Sequence, residues 1–358
     1  MLLQDAERFV STHGSIIQRA PLQTYISALM FSPTTSEIRM RYWRQRLLNI
    51  DVTVSIGDGQ GMPLQTLEGY TPNIKSVAFS PDGKSLASAG DNTIRLWDTA
   101  TGIEKMTLRE HRNSIWAIDF SPNGKTLASA SWDGTTRIWD TATGTNEQTF
   151  KGPRFTCVAF SPDGKIVASG SEYGPIYLWN TVTSTCQHIL GRDGQDVSVY
   201  GIAFSPDGTT LASALQDATV LLSNTGTGAH WKTLEGHSSQ VLAVTFSPDG
   251  ETIVSGSEDT TIRLWNAATG EYRQTLKGHT GAVRGVALSQ DGNTLASCSF
   301  DRTIRLWDTA SQTHRLTLSY GGVVGGLGQN QDLGFSGYID PTNSKHTPHP
   351  RIPNPNPQ

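Results

Sequence analysis

Residues 232–279, KTLEGHSSQVLAVTFSPDGETIVSGSEDTTIRLWNAATGEYRQTLKGH, hold four short runs of strand character, at 241–246, 252–255, 261–265 and 272–276. Each join carries Gly, Asp, Asn or Ser, the residues that turn a chain sharply. The stretch therefore predicts one antiparallel sheet of four strands. A sheet of about five residues per strand buries too little apolar surface to stand alone, so it needs neighbours of its own kind.

Those neighbours are present. The glycine of the first turn recurs at Gly83, Gly124, Gly164, Gly208, Gly250 and Gly292, in steps of 40 to 44 residues, the period of one propeller blade. A tryptophan in the third run recurs at Trp97, Trp139, Trp179, Trp265 and Trp307, with Ser223 in the remaining copy. These six copies resemble WD40 repeats, with Gly236-His237 and Gly278-His279 opening a repeat and Trp97-Asp98, Trp139-Asp140 and Trp307-Asp308 closing one. The resemblance covers residues 63–319 and implies an all-β propeller.

Composition narrows the function. The chain has 358 residues and a formal net charge of −4. It lacks the basic balance that phosphate-backbone binding needs, so nucleic acid is not an expected partner. Cys157, Cys186 and Cys298 are odd in number and lack CxxC spacing, which fits neither a disulfide framework nor a zinc site. A reducing, cytoplasmic setting is expected, with no metal and no cofactor. The chain has no run of about 18 apolar residues and opens without the basic region and apolar core of a signal peptide, so no membrane association is expected.

The flanks are less regular. Residues 1–21 place Leu2, Leu3, Ala6, Phe9, Val10, Ile16 and Ile17 at helical spacing until Pro21, which predicts a short amphipathic helix. In residues 22–69, the passage from Tyr25 to Pro33 matches the strand and turn at Val77–Pro81, so this segment is expected to form a divergent blade ahead of the six clear repeats at 70–319. The reading is thus a seven-bladed propeller over 22–319. Residues 320–358 are rich in glycine and then in proline, and are expected to be mostly disordered because they carry little apolar surface to offset the entropy of ordering.

LLQDAERF at 2–9 and APLQTYISALMFSP at 20–33 resemble the junction in fungal NACHT–WD40 proteins of the STAND class, NLR-like receptors related to heterokaryon-incompatibility proteins. The resemblance implies the sensor half of such a receptor, starting just after its ATPase module. The sequence itself carries no phosphate loop. Gly83-Lys84-Ser85 and Gly124-Lys125-Thr126 mimic its ending, but Ala78 and Asp119 stand where the first glycine belongs.

Three repeats carry a complete set of histidine, serine, aspartate and tryptophan: His111/Ser129/Asp133/Trp139, His237/Ser255/Asp259/Trp265 and His279/Ser297/Asp301/Trp307. A Ser/His/Asp trio suits a hydrolase, since a histidine steadied by a carboxylate takes a serine's proton. One catalytic site needs one trio, however, and here the set recurs once per blade. The WD40 resemblance implies instead a buried hydrogen-bond chain that ties an outer loop to the second and third strands. The set is broken by Tyr70 in the first repeat, by Pro153 and Tyr173 in the third, and by Arg192 and Ser223 in the fourth, so repeats three and four are expected to be weakest.

The same resemblance implies that partners meet the narrow face of the ring, at the start of each innermost strand and just before each set's aspartate. Those positions include Lys75, Trp116, Trp132, Arg154, Tyr200, Gln216, Leu242, Glu258, Arg284 and Phe300. Trp, Tyr and Arg dominate binding energy at interfaces, and Trp116 and Trp132 fall in one blade. The sequence therefore predicts a non-catalytic, monomeric module that binds protein on this face, as a receptor's ligand sensor or as a free-standing adaptor. A hydrolase is the remaining alternative.

Overall fold

The structure, a computed structural model, describes residues 74–191, 197–311, 313–319, 323–328 and 336–340. Six antiparallel four-stranded sheets follow one another at 74–108, 115–151, 155–190, 199–234, 241–276 and 283–319, and are blades one to six. Within each blade the strands pair in chain order. Blade five is built of Val241–Phe246, Thr252–Ser257, Ile262–Asn266 and Tyr272–Leu276, within two residues of the runs read from the sequence.

The first strands pack on one another in succession, Ile74–Phe79 against Ile115–Phe120, that strand against Phe155–Phe160, and so on to Val283–Leu288. They are therefore innermost, and the fourth strands form the rim. Second strands such as Thr126–Ser131 are buried almost throughout, because blades cover both of their faces. Rim strands are mostly exposed and anchor through one buried apolar residue each, Leu108, Phe150, Leu190, Leu234 and Leu276 in blades one to five. The first turn of each blade repeats one device. In blade one the Ser80 hydroxyl donates to Asp82 Oδ1 (2.7 Å), the Gly83 N–H donates to the Ser80 carbonyl (2.8 Å), and Gly83 takes φ +67°, a conformation glycine adopts without Cβ strain.

One expectation needs amendment, and two fall where the structure describes no residues. The helix of 1–21 and the divergent blade of 22–69 lie outside the described residues. The tail of 320–358 is not wholly without structure: Val323–Gly328 pairs antiparallel with Ser336–Asp340. The first of these strands lies against the innermost strand of blade six and the second against that of blade one. Glycine-rich strands cannot build a core, but between two existing blades they need only pack closely and pair with each other. Truncation after Ser319 removes this hairpin and uncovers the innermost strands of blades one and six. Light scattering should then show self-association, or melting should fall by several degrees; a monomer that melts like the full chain would remove the hairpin from ring closure.

Blades also bond across their boundaries. Asp119, on the innermost strand of blade two, accepts the Phe160 N–H of blade three at 2.8 Å. Enclosure of the carboxyl pushes its pKa up to about 7, even though the N–H groups of Phe160 and Phe120 favour the ionised form. Since this folded value lies above the ordinary 3.8, the folded chain binds an extra proton between them. The stabilisation is complete below about 4 and is lost as pH rises through about 7. Asp119→Asn keeps an acceptor for Phe160 and removes the charge, so it is expected to raise the melting temperature by roughly 2–5 °C at pH 8 and to change it little at pH 5. An equal shift at both pH values would contradict this account.

Candidate functional site

The three complete sets form as the sequence predicts. In blade two, Trp139 Nε1–H donates to Ser129 Oγ (2.8 Å), Ser129 Oγ lies 2.7 Å from His111 Nε2, and His111 Nδ1 lies 2.8 Å from Asp133 Oδ2. The chain is self-consistent with the Nδ1–H tautomer, in which Nε2 accepts from serine. Blades five and six repeat it, with Trp265 Nε1–H to Ser255 Oγ at 2.9 Å and Trp307 Nε1–H to Ser297 Oγ at 2.8 Å. Ser129, Ser255 and Ser297 have 0% exposure. Shut inside the blades, these hydroxyls are closed to a substrate carbonyl in this structure.

Burial opposes ionisation of Asp133, yet hydrogen bonds from His111, from Thr135 and from the Arg112 N–H hold its carboxyl well below the ordinary range. Asp259 behaves alike, with Thr261 in place of Thr135. The threonine two residues after each aspartate is thus a fifth member: Thr135 Oγ1–H donates to Asp133 Oδ1 at 2.6 Å, and Thr261 and Thr303 repeat it. Its constant spacing was visible in the sequence but carried no chemical suggestion. The glycine before histidine has a steric role, since a Cβ on Gly236 or Gly278 would overlap the guanidinium of Arg263 or Arg305. Those arginines belong to a recurring series: Arg95, Arg137 and Arg263 lie over the rings of Trp97, Trp139 and Trp265 at 6.0, 5.9 and 5.9 Å.

The broken sets of blades three and four differ in outcome. In blade three, Trp179 donates to Ser169 at 3.1 Å, and Thr136 of blade two meets the same hydroxyl at 2.8 Å. Phe150 and Tyr177 stack on Trp179 at 4.9 and 5.2 Å. In blade four, Ser223 holds the tryptophan position and the buried Ser213 Oγ has no partner among the described residues. Tyr70 and Arg192 lie outside the described residues.

Two backbone devices place the residues at the start of the innermost strands and just before each aspartate position. In all six blades the innermost strand carries an irregularity, between Ile74 and Ser76, Ile115 and Ala117, Phe155 and Cys157, Val199 and Gly201, Val241 and Ala243, and Val283 and Gly285. The skipped residues are Lys75, Trp116, Thr156, Tyr200, Leu242 and Arg284, and a bulge of this kind re-aims a side chain off the ladder. The residue before each aspartate position is then held beside that strand by its own N–H: Trp132 donates to Ser114 O at 3.0 Å, and Glu172, Gln216, Glu258 and Phe300 donate to Arg154, Ser198, Gln240 and Ala282 at 2.9 Å.

These devices bring Trp116 and Trp132 together, ring centroids 4.6 Å apart and planes 30° apart. Lys75 Nζ stands 4.9 Å from the Trp116 ring and Arg154 Cζ 5.5 Å from the Trp132 ring. Arg154 Nη1 also reaches Glu172 Oε2 at 3.4 Å. A second group forms where Arg284 Cζ lies 4.4 Å over Phe300, whose exposure is 42%. Tyr200, whose phenol burial pushes up in pKa, feels the charges of Arg284 and Glu258. Gln216 Oε1 accepts the Ser198 N–H at 3.4 Å, and Glu258 Oε2 accepts the Ser239 hydroxyl at 2.7 Å. Leu242 is partly buried, and no ring or ion contact ties it to either group among the described residues. Among those residues no cluster of His, Cys, Asp and Glu has the geometry to hold a metal ion, and no helix is long and apolar enough to cross a membrane.

The equivalent second-strand serines of blades four and six should respond in opposite ways. Ser297→Ala leaves the Trp307 indole N–H and His279 Nε2 without a partner and is expected to cost about 1–3 kcal/mol, whereas Ser213→Ala removes a hydroxyl with no partner among the described residues and should be neutral or stabilising. Denaturant melts of the two variants decide it; equal losses would refute the assignment.

The sequence profile described as "WD domain, G-beta repeat" matches residues 61–98, 102–140, 144–180, 184–222, 228–266 and 270–308. Vegetative incompatibility protein HET-E-1 of Podospora anserina is 44% identical over 103 residues, 28% of this chain and 8% of that protein. A Notchless protein homolog of Arabidopsis thaliana is 55% identical over 38 residues, 10% of this chain and 8% of that one. The target of rapamycin complex subunit wat1 of Schizosaccharomyces pombe is 48% identical over 44 residues, 12% of this chain and 14% of that one. Matched segments thus span only a small part of these relatives. With six copies of the repeat along most of its length and six four-stranded blades among the described residues, the chain belongs to the WD40 family, whose propellers are typically protein-interaction scaffolds.

Proposed function

We propose that this propeller binds a protein partner on its narrow face, through a platform centred on Trp116 and Trp132, and performs no chemistry of its own. The stacked indole pair is the observation that carries the reading. Trp97, Trp139, Trp179, Trp265 and Trp307 each donate their N–H to a serine hydroxyl. The Nε1 atoms of Trp116 and Trp132 are enclosed and have no hydrogen-bond partner among the described residues. Such an arrangement is poor for stability alone, since an unpaired buried donor costs about 1–3 kcal/mol. It suits a surface where large aromatic area is presented to another molecule.

The wider role we infer is ligand sensing as the propeller half of a fungal NACHT–WD40 receptor, which the likeness to HET-E-1 over 103 residues supports. The adaptor reading draws on the likeness to a subunit of the target of rapamycin complex, over 44 residues. A phosphate loop encoded upstream in the same reading frame would favour the first, and its absence from the full-length transcript the second. We place the module in the cytoplasm, a reducing compartment that suits the free thiols of Cys157, Cys186 and Cys298. Its working state as a monomer is supported by charge on the rim strands of five blades, at Glu104 and Lys105, Glu147 and Lys151, Lys232, Arg273 and Arg315, which discourages edge pairing.

Trp116→Ala combined with Trp132→Ala should reduce capture of partner proteins from the source organism's lysate by about tenfold or more, with melting unchanged because neither residue joins the hydrogen-bonded sets. The control is Trp231→Ala, an exposed tryptophan on the rim strand His230–Leu234. Undiminished capture by the double variant, at matched melting, would move the binding surface away from the narrow face.

A further inference from the structure

We propose that the partner segment taken by this face is an acidic peptide, its carboxylates held by Arg154 on one side and Arg284 on the other, with aromatic platforms beneath. The proposal rests on the reading of the narrow face as the partner surface and adds the partner's chemistry. Three aromatic rings at the face already have a cation of this chain over them: Lys75 at 4.9 Å from Trp116, Arg154 at 5.5 Å from Trp132 and Arg284 at 4.4 Å from Phe300. A basic ligand seeking the negative face of an aromatic ring would therefore meet like charge. The acids at face positions are already engaged. Glu172 lies 3.4 Å from Arg154, and Glu258 takes the Ser239 hydroxyl at 2.7 Å. At the positions named for this face the cations Lys75, Arg154 and Arg284 outnumber the acids Glu172 and Glu258.

Arg154 is the better-defined donor. Its side chain is 58% exposed, and its ion pair with Glu172 uses Nη1 at the long distance of 3.4 Å. A guanidinium presents five N–H donors in a planar fork that matches a carboxylate bidentately. Ring contact limits the directions in which that fork points, so less rotamer freedom is lost when a carboxylate docks. Arg284, on blade six, repeats the cation-over-ring arrangement above Phe300, so a segment crossing the mouth of the ring meets it at both ends. These cations gather on a chain whose net charge is −4, and a local field opposite in sign to the whole steers an acidic segment to this end of the propeller.

The test is fluorescence anisotropy with short labelled peptides of one length: an Asp/Glu-rich sequence with a central Phe, its Asn/Gln counterpart and its Lys/Arg counterpart, beside a single-stranded oligonucleotide of matched charge. The full chain is titrated at low and high salt. The acidic peptide should bind with salt-dependent affinity and the other three should bind about tenfold more weakly or not at all. Arg154→Gln with Arg284→Gln should lower the acidic peptide's affinity about tenfold or more, and Trp116→Ala with Trp132→Ala should lower it too. Lys125→Gln with Lys165→Gln makes the same change of charge beside the first turns, at the other end of the innermost strands, and should leave it unchanged. All variants are compared at matched melting temperature.

Other outcomes separate the layers. If the tryptophan pair matters for capture of cellular partners while the arginine pair and peptide charge do not, the face stands and its acidic specificity is overturned. If neither pair affects binding of the acidic peptide, that peptide binds elsewhere and the proposal fails. Equal binding of the oligonucleotide through the same arginines would make the face a general polyanion site and overturn the choice of a peptide.

Discussion

A serine hydroxyl shut inside the second strand is the node on which the intact blades depend. At Ser129, Ser255 and Ser297 it accepts an indole N–H from the third strand and meets a histidine from the loop ahead of the blade. Histidine passes the connection to aspartate, and aspartate also accepts the N–H of the residue after histidine: Arg112, Ser238 and Thr280 at 2.9, 3.0 and 3.0 Å. Four separate stretches of chain are thereby locked together. Every group in the series is desolvated, so losing one member strands its neighbours, and the series holds as a unit.

The proposed binding surface hangs on the same node. Trp132 is the residue before Asp133, and the Ser131 hydroxyl of the same turn donates to Asn113 O at 3.1 Å. Once the aspartate is tied to histidine, the loop that carries Trp132 has little freedom, and its N–H closes onto Ser114. The bulge at Trp116 supplies the other half of the stack from the innermost strand. A rigid network thus fixes two side chains that do not belong to it, which is how a repeated scaffold presents a surface that differs from blade to blade.

Much of this was open to reading in the sequence, for identifiable reasons. A period of 40 to 44 residues overrides the ambiguity of any single short strand, and chemically unlike residues recurring in register, such as His237, Ser255, Asp259 and Trp265, leave few arrangements other than mutual contact. The convergence of Trp116 and Trp132 followed once the repeats were aligned. What escaped were features without a periodic or compositional mark. The cations over the indoles depend on neighbouring blades, which alignment within a repeat does not relate. The hairpin of Val323–Gly328 and Ser336–Asp340 lacks apolar alternation, because its surroundings come from blades one and six rather than from its own residues. Blade three's compensation likewise needed Thr136, a residue of blade two.

The wear on the repeats is distributed in a way that bears on binding. Blade four has lost its tryptophan to Ser223, has Leu221 where four other blades carry an arginine, and leaves Ser213 without a partner among the described residues. Its cohesion falls to apolar clusters, one shared with blade three that includes Leu178, Leu190, Leu211 and Leu221, and one shared with blade five that includes Val220, Leu222, Leu234 and Ile253. Such a cluster is non-directional, so it resists shear less specifically than a hydrogen-bonded series. Blade two is the opposite case, with a complete set, a threonine that braces blade three and an inter-blade bond from Asp119 to Phe160. The indole pair stands on that blade. Ordering a surface on binding opposes affinity, and a platform built on the best-secured blade has the least ordering left to do.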